Sequence, residues 1–307
     1  MSRLCRRAKL LNRNKIKFMK NIPLLLSVII LLISSCTTTS KLTKEGAPIF
    51  TAPVGVQAYS FRNYFPKDIP GTLDRIQAMG IKEIEGDSGK MPPEVYKKMC
   101  DERGISIPST GAQFKELAED PMSIVAKAKA LGANYVMCAW VPHGELGSFN
   151  LEDANRAIDV FNTAGKVLKE NGLTFCYHAH GYEFKPHGNG TLLNHIIENT
   201  NPEYVSFEMD TYWIQFGGGD PVALLKQYGK RWKLIHLKDM KKGIEKNLTG
   251  NSNVENNVPL GTGQIDMAGI LKEAKNIGIA HYFIEDESSA VVDQVPKSIA
   301  YLKSLKY

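Results

Sequence analysis

The sequence predicts an α/β protein, a (β/α)8 TIM barrel over residues 53–307, and three observations carry that expectation. From Val54 onward a short β-rich run, a polar turn and a longer stretch at helical period alternate eight times. Eight such units in about 250 residues is the size and rhythm of a closed barrel. Next, five junctions share one punctuation, helix-Gly-x-strand, at Gly80, Gly104, Gly132, Gly172 and Gly278. A glycine there closes the helix and turns the chain into the following strand. Last, no G-x-G-x-x-G follows Val54–Ser60. An open doubly wound sheet usually carries one in its first βα turn.

In order, the strands are expected at Val54–Ser60, Ile81–Glu85, Ile105–Gly111, Tyr135–Trp140, Leu173–His180, Tyr204–Asp210, Trp232–Lys238 and Tyr282–Glu285. Each is a β-branched or aromatic run bounded by turn residues. The helices between them are expected at Gly71–Met79, Pro93–Arg103, Met122–Leu131, Leu151–Asn171, Thr191–Asn199, Pro221–Tyr228 and Met267–Ile277, with Val291–Leu305 last. Pro93 and Pro221 suit a first helical turn, where no N–H is needed.

The formal charge of +6 belongs to the N-terminus. Residues 1–35 hold Arg3, Arg6, Arg7, Lys9, Arg13, Lys15, Lys17 and Lys20 and no acid, so the remainder carries 6 − 8 = −2. A mildly acidic body argues against nucleic acid as a partner. Lys20, an apolar run from Ile22 to Ile33 and the closing Ile33-Ser34-Ser35-Cys36 have the parts of a secretory signal, with Met19 an alternative start. The run is short for a membrane span. Its end resembles the lipobox of bacterial lipoproteins, which implies lipidation at Cys36 and an exported, membrane-anchored protein of the periplasm or cell envelope. Residues 1–36 are then a signal peptide and 37–52 a solvated tether. Cys100, Cys138 and Cys176 lack paired spacing and read as small core residues.

In such barrels chemistry lies at the C-terminal ends of the strands. Those ends carry Tyr59, Glu85, Gln113, Trp140, His178 and His180, Glu208 and Asp210, His236 and Lys238, and Glu285. Asp210, His236, Glu285 and either His178 or His180 can converge on one point. Mixed N/O ligation suits Mn²⁺, Co²⁺, Zn²⁺ or Fe²⁺ and suits Ca²⁺ poorly. Tyr59, Glu85, Gln113, Trp140, Glu183 and Trp213 are the candidate substrate contacts, with Phe61 and Tyr212 joining Trp140 and Trp213 as an apolar platform. The polar stretch 241–259 reads as a lid or a disordered loop.

Asp210, the His-Leu-Lys-Asp run of 236–239 and the Glu285 strand resemble the sugar phosphate isomerase/epimerase superfamily, the xylose-isomerase-like barrels. The similarity covers essentially residues 54–305. It implies a divalent metal held by four residues from strands five to eight, binding adjacent oxygens of a sugar. It also favours His178 over His180 as the strand-five ligand. Two departures stand out. Family epimerases supply a glutamate from strand five, where this chain reads Tyr177-His178-Ala179-His180, with Glu183 further on. Trp213 replaces the histidine often found three residues after the aspartate. A symmetrical two-carboxylate epimerisation is therefore less natural here.

The expected function is a metal-dependent isomerase or lyase acting on an unphosphorylated sugar or keto-sugar, including β-elimination of a 3-keto-glycoside. Deprotonation beside a carbonyl would use Glu285 as base, with Lys238 or His180 at the leaving or developing oxygen. Burial is expected to lower the Lys238 ammonium toward a useful range unless a carboxylate holds the proton on. A sugar-binding lipoprotein that keeps the barrel and metal without turnover is the alternative.

Overall fold

The computed structural model describes residues 45–89 and 91–307. The expected leader, its Cys36 and the first part of the tether lie outside them. The barrel strands are β1 (Gly55–Gln57), β2 (Glu83–Glu85), β3 (Ser106–Gly111), β4 (Tyr135–Cys138), β5 (Thr174–His178), β6 (Val205–Asp210), β7 (Trp232–Leu237) and β8 (His281–Ile284). Each pairs in parallel with its neighbour in sequence, and β8 returns to β1 through Gly55 opposite Phe283 and Val56 opposite Ile284. The barrel is closed.

The helices around it are α1 (Ile69–Ala78), α2 (Pro93–Asp101), α3 (Phe114–Glu119), α4 (Pro121–Leu131), α5 (Leu151–Glu170), α6 (Leu192–Asn199), α7 (Thr211–Phe216), α8 (Pro221–Tyr228), α9 (Met267–Ile277) and α10 (Val291–Ser304). Their starts are set by short polar caps: Asp68, Asp120, Thr191, Asp220 and Asp266 each accept a first-turn N–H. The five punctuating glycines all have φ between +64° and +84°, a left-handed backbone that side-chain-bearing residues rarely adopt. Short α3 and α7 are additions to the expected set. Among the described residues no helix is long and apolar enough to cross a membrane.

Side chains alternate along each strand, so the inward positions stack in layers. Cys176, Leu234 and Phe283 form a buried apolar layer inside the barrel. Two residues further along the same strands come His178, His236 and Glu285. A polar floor thus rests on a dry plug. Cys100, Cys138 and Cys176 are free and buried, as core residues should be.

Two sequence expectations need correction. Residues 45–52 are not a solvated tether: Ile49 is buried, its N–H donates to Leu305 O at 3.0 Å, and Phe50 packs edge-on to Tyr282. The apolar pair outweighs the polar neighbours. Strand five stops at His178, because the chain turns at Gly181 (φ +90°), so His180 lies in the loop that follows.

Candidate active site

Each cluster residue is placed by strand register. His178 in β5 lies opposite Glu208 in β6, and Asp210 at the end of β6 lies opposite His236 in β7. All four are buried. Asp210 divides its carboxylate between two tasks. Its Oδ1 accepts the Trp213 N–H at 2.9 Å and so caps α7. Its Oδ2 has no hydrogen-bond partner and stands 3.8 Å from both His178 Nε2 and His236 Nδ1. Glu285 joins through Oε2, 3.4 Å from His236 Nδ1.

Beneath the histidines lies a second pair of carboxyls. Glu208 Oε2 is hydrogen-bonded to His178 Nδ1 at 3.2 Å, and Glu208 Oε1 is 3.3 Å from His236 Nε2. Glu85 Oε2 bonds His236 Nε2 and accepts the Gln57 side-chain amide at 2.9 Å.

Burial dominates the protonation of this cluster. It pushes Asp210 up to about 7, against the pull of Lys238. Burial and then the Glu85 charge push Glu208 well above the carboxylate range. His178 is held well below the usual imidazole value by burial and then by His236. His180 is pushed down to about 3 by burial and then by Lys238. For His236 burial is outweighed by Glu208 and Glu85, which hold it well above its ordinary value. These shifts describe a buried site with more carboxyls than cations.

The donor set fits a divalent ion: His178, Asp210 and His236 can offer ligand atoms to one point, Glu285 Oε2 lies 3.4 Å from His236 Nδ1, and Asp210 Oδ2 and His236 Nδ1 are buried and unpartnered. Such an ion would supply the missing positive charge and favour the ionised carboxylates.

Above the cluster opens a cavity of about 860 Å³, a size ordinary for small-molecule sites. His178, His180, His236 and Glu285 form part of its wall, with Tyr59, Gln113, Trp140 and Trp213 among the others. His180 stacks on Trp213 (ring centroids 5.0 Å) and meets Trp140 edge-on at 5.7 Å. The 241–259 stretch is an ordered strap over one side. Gly250, Asn251, Ser252, Val254 and Asn257 face the cavity, Tyr212 hydrogen-bonds Ser252, and Asn247 N–H donates to Phe216 O at 2.7 Å.

Several expected contacts fall elsewhere. Glu85 does not reach the cavity, being held under His236. Glu183 is wholly buried below the loop, where it accepts from the Tyr177 hydroxyl and from His180 N–H at 3.0 Å. Burial pushes it up to about 7, and the donating hydroxyl and amides restrain the rise. Glu183 thus braces the β5 loop. Phe61 is fully buried in the core and is no platform. Lys238 is 1% exposed and sits behind the cavity wall, bonding Glu285 at 3.1 Å and Glu287. Burial opposes its charge, but Glu285, Asp210 and Glu287 outweigh burial and hold the ammonium on, above its ordinary value. The exception named for a lysine held by carboxylates is the case that applies, and the ammonium is not lowered. Glu285 in turn is held well below the usual carboxylate range: burial opposes this, and Lys238 prevails. Sequence reasoning assigns no role to Glu208, Gln57 or Glu287. The period-2 rule, which places Glu208 on the face of Asp210 and Glu287 on that of Glu285, is the signal that could find two of them.

Comparison with known proteins agrees with this architecture. The family model described as xylose isomerase-like TIM barrel matches residues 73–305. A protein named inosose dehydratase 1, from Bacillus cereus, is 33% identical over 100 residues. That match covers 31% of this chain and 32% of the relative, so the aligned part spans about a third of that protein's length. A sugar phosphate isomerase/epimerase from Parabacteroides distasonis ATCC 8503 superposes with TM-score 0.68 at 27% identity, over 83% of this chain and 95% of the other. The IOLI protein solved with a bound zinc atom shares the fold, with TM-score 0.64 at 15% identity over 82% and 98%.

Proposed function

This chain belongs to the xylose isomerase-like TIM barrel family, and within it we propose a metal-dependent isomerase or lyase acting on an unphosphorylated sugar or keto-sugar. One observation carries the reading: unpartnered Asp210 Oδ2 and His236 Nδ1 meet His178 and Glu285 beside a sugar-sized cavity. His178, Asp210, His236 and Glu285 would hold the ion. When bound, a divalent metal polarises a carbonyl and offsets the negative charge that develops beside it. The zinc in the similarly folded IOLI protein supports zinc as the first metal to test.

The residues facing the cavity define the rest. Glu285 is kept ionised by Lys238 and is a proton acceptor next to the cluster. His180 is neutral, faces the cavity and has an unpartnered Nδ1, so it is the second acceptor or relay. Lys238 acts through Glu285 and does not touch substrate. Trp140, Trp213 and Tyr59 give the cavity apolar wall, and Gln113 adds a hydrogen-bonding side chain. With no carboxylate from β5 in the wall, proton removal beside a carbonyl followed by elimination or proton return suits this site better than two-carboxylate epimerisation. The partial match to an inosose dehydratase supports the lyase side, and β-elimination of a 3-keto-glycoside is the finer form of it.

The test joins metal analysis of the purified protein to a screen of keto-sugars and glycosides in deuterated water. One equivalent of divalent metal and deuterium uptake or elimination from a keto-sugar are expected. Bound metal with no exchange from any of them would favour a binding protein instead. We further propose that the barrel is exported and tethered by lipid at Cys36, from the Ile33-Ser34-Ser35-Cys36 run. Cys36→Ser should move the protein from the membrane to the soluble fraction. An unchanged distribution would refute the anchor.

A further inference from the structure

A neutral imidazole has one nitrogen that donates and one that accepts, so a histidine that binds metal must be told which is which. Both histidines of the cluster have a buried carboxyl on the side away from Asp210, Glu208 for His178 and Glu85 for His236. Glu208 is wholly buried, on the strand between those of His178 and His236. Its Oε2 is hydrogen-bonded to His178 Nδ1 at 3.2 Å and its Oε1 stands 3.3 Å from His236 Nε2. The opposite nitrogens, His178 Nε2 and His236 Nδ1, both face Asp210 Oδ2 at 3.8 Å.

We infer that Glu208 is a positioning residue that sets His178 as the Nδ1–H form and, with Glu85 on His236 Nε2, turns both lone pairs into the cluster. The inference rests on the reading of that cluster as a metal site. Glu85 backs only one ring. Its Oε2 bonds His236 Nε2, while Gln57 holds it from the other side. No described hydrogen bond other than that to Glu208 holds His178 Nδ1. His178 is therefore the ring that depends on Glu208 most.

An outer carboxylate of this kind orients the ligand, raises its basicity, and costs about 10–100-fold in metal affinity when removed. Glu208→Leu keeps much of the volume and removes both acceptors. Glu208→Gln offers one carbonyl, enough for a single ring. Zinc affinity should therefore fall in the order wild type, Glu208→Gln, Glu208→Leu, with the leucine variant about 10–100-fold weaker. Nitrogen-15 spectra of the imidazoles give a readout that packing alone would not move. In wild type, His178 should carry its proton on Nδ1, with or without zinc, and in Glu208→Leu that signal should be lost. Glu208→Leu binding zinc as tightly as wild type would overturn the inference. So would a wild-type His178 protonated on Nε2, which decides the matter even if the leucine variant does not fold. If wild type takes no zinc, the metal reading falls, and the His178 spectrum still tests the role of Glu208.

Discussion

Asp210→Asn should empty the metal site while leaving the barrel folded. The two oxygens of Asp210 are separately employed, and the substitution touches them unequally. Asparagine caps helices about as well as aspartate does, so its carbonyl can keep the bond to Trp213 N–H and hold the start of α7. The other position becomes an amide NH2, a donor placed 3.8 Å from two ring nitrogens that should be presenting lone pairs. A donor cannot ligate, and it adds no negative charge to the site. Metal affinity should fall by more than the roughly 10–100-fold that follows loss of an outer hydrogen-bond partner, and turnover should fall with it. Zinc titration and thermal unfolding on one preparation check this. Full metal occupancy in the folded variant would remove Asp210 from the ligand set.

The same residue shows what can be read from sequence and what cannot. An aspartate at the end of a strand can cap the helix that follows or face the site, and Asp210 gives Oδ1 to the Trp213 N–H while Oδ2 stays unpartnered beside the two histidines. The barrel itself is legible because its signals are local: five glycines closing helices, prolines and aspartates opening them, and β-branched runs between. The convergence of Asp210, His236, Glu285 and His178 follows from barrel geometry, which brings matching strand ends together. What stays hidden are pairings across the barrel interior. Glu85 and Glu208 come from β2 and β6 and meet beneath His236. Nothing in the spacing of 85 and 208 announces that contact. The end of strand five is misplaced for a different reason. Ala179 and His180 suit a strand as well as a loop, and the outcome turns on Gly181 packing against the Trp213–Gly217 backbone, where a Cβ would come within 2.8 Å of Trp213 O.

For Lys238 the expectation names two opposed effects, burial and a neighbouring carboxylate, and the folded chain realises the second. Burial does work against the ammonium, but three carboxylates close by decide the balance. The ion pair with Glu285 and Glu287 is almost wholly enclosed, Lys238 being 1% and Glu285 9% exposed at the side chain. The rings of Trp213 and Tyr212 also face the ammonium, at 5.3 and 5.6 Å. Lys238→Met keeps most of the stem and leaves Glu285 without its cation. Among the described residues His236, 3.4 Å from Glu285, and Arg62, 4.0 Å from Glu287 and partly exposed, remain nearby. Breaking a buried pair from one side costs about 3–5 kcal/mol, which for a domain of this size lowers the melting temperature by roughly 10 °C. Zinc loading should recover part of the loss, because a dication beside Glu285 replaces some of the missing positive charge. A lysine that shuttled protons would behave in the opposite way. Turnover per folded, metal-loaded molecule would drop by about 10²–10⁴-fold while the melting temperature barely moved. Melting temperature with and without zinc, read beside turnover, separates the two, and a variant as stable as wild type but inactive would return Lys238 to the chemistry.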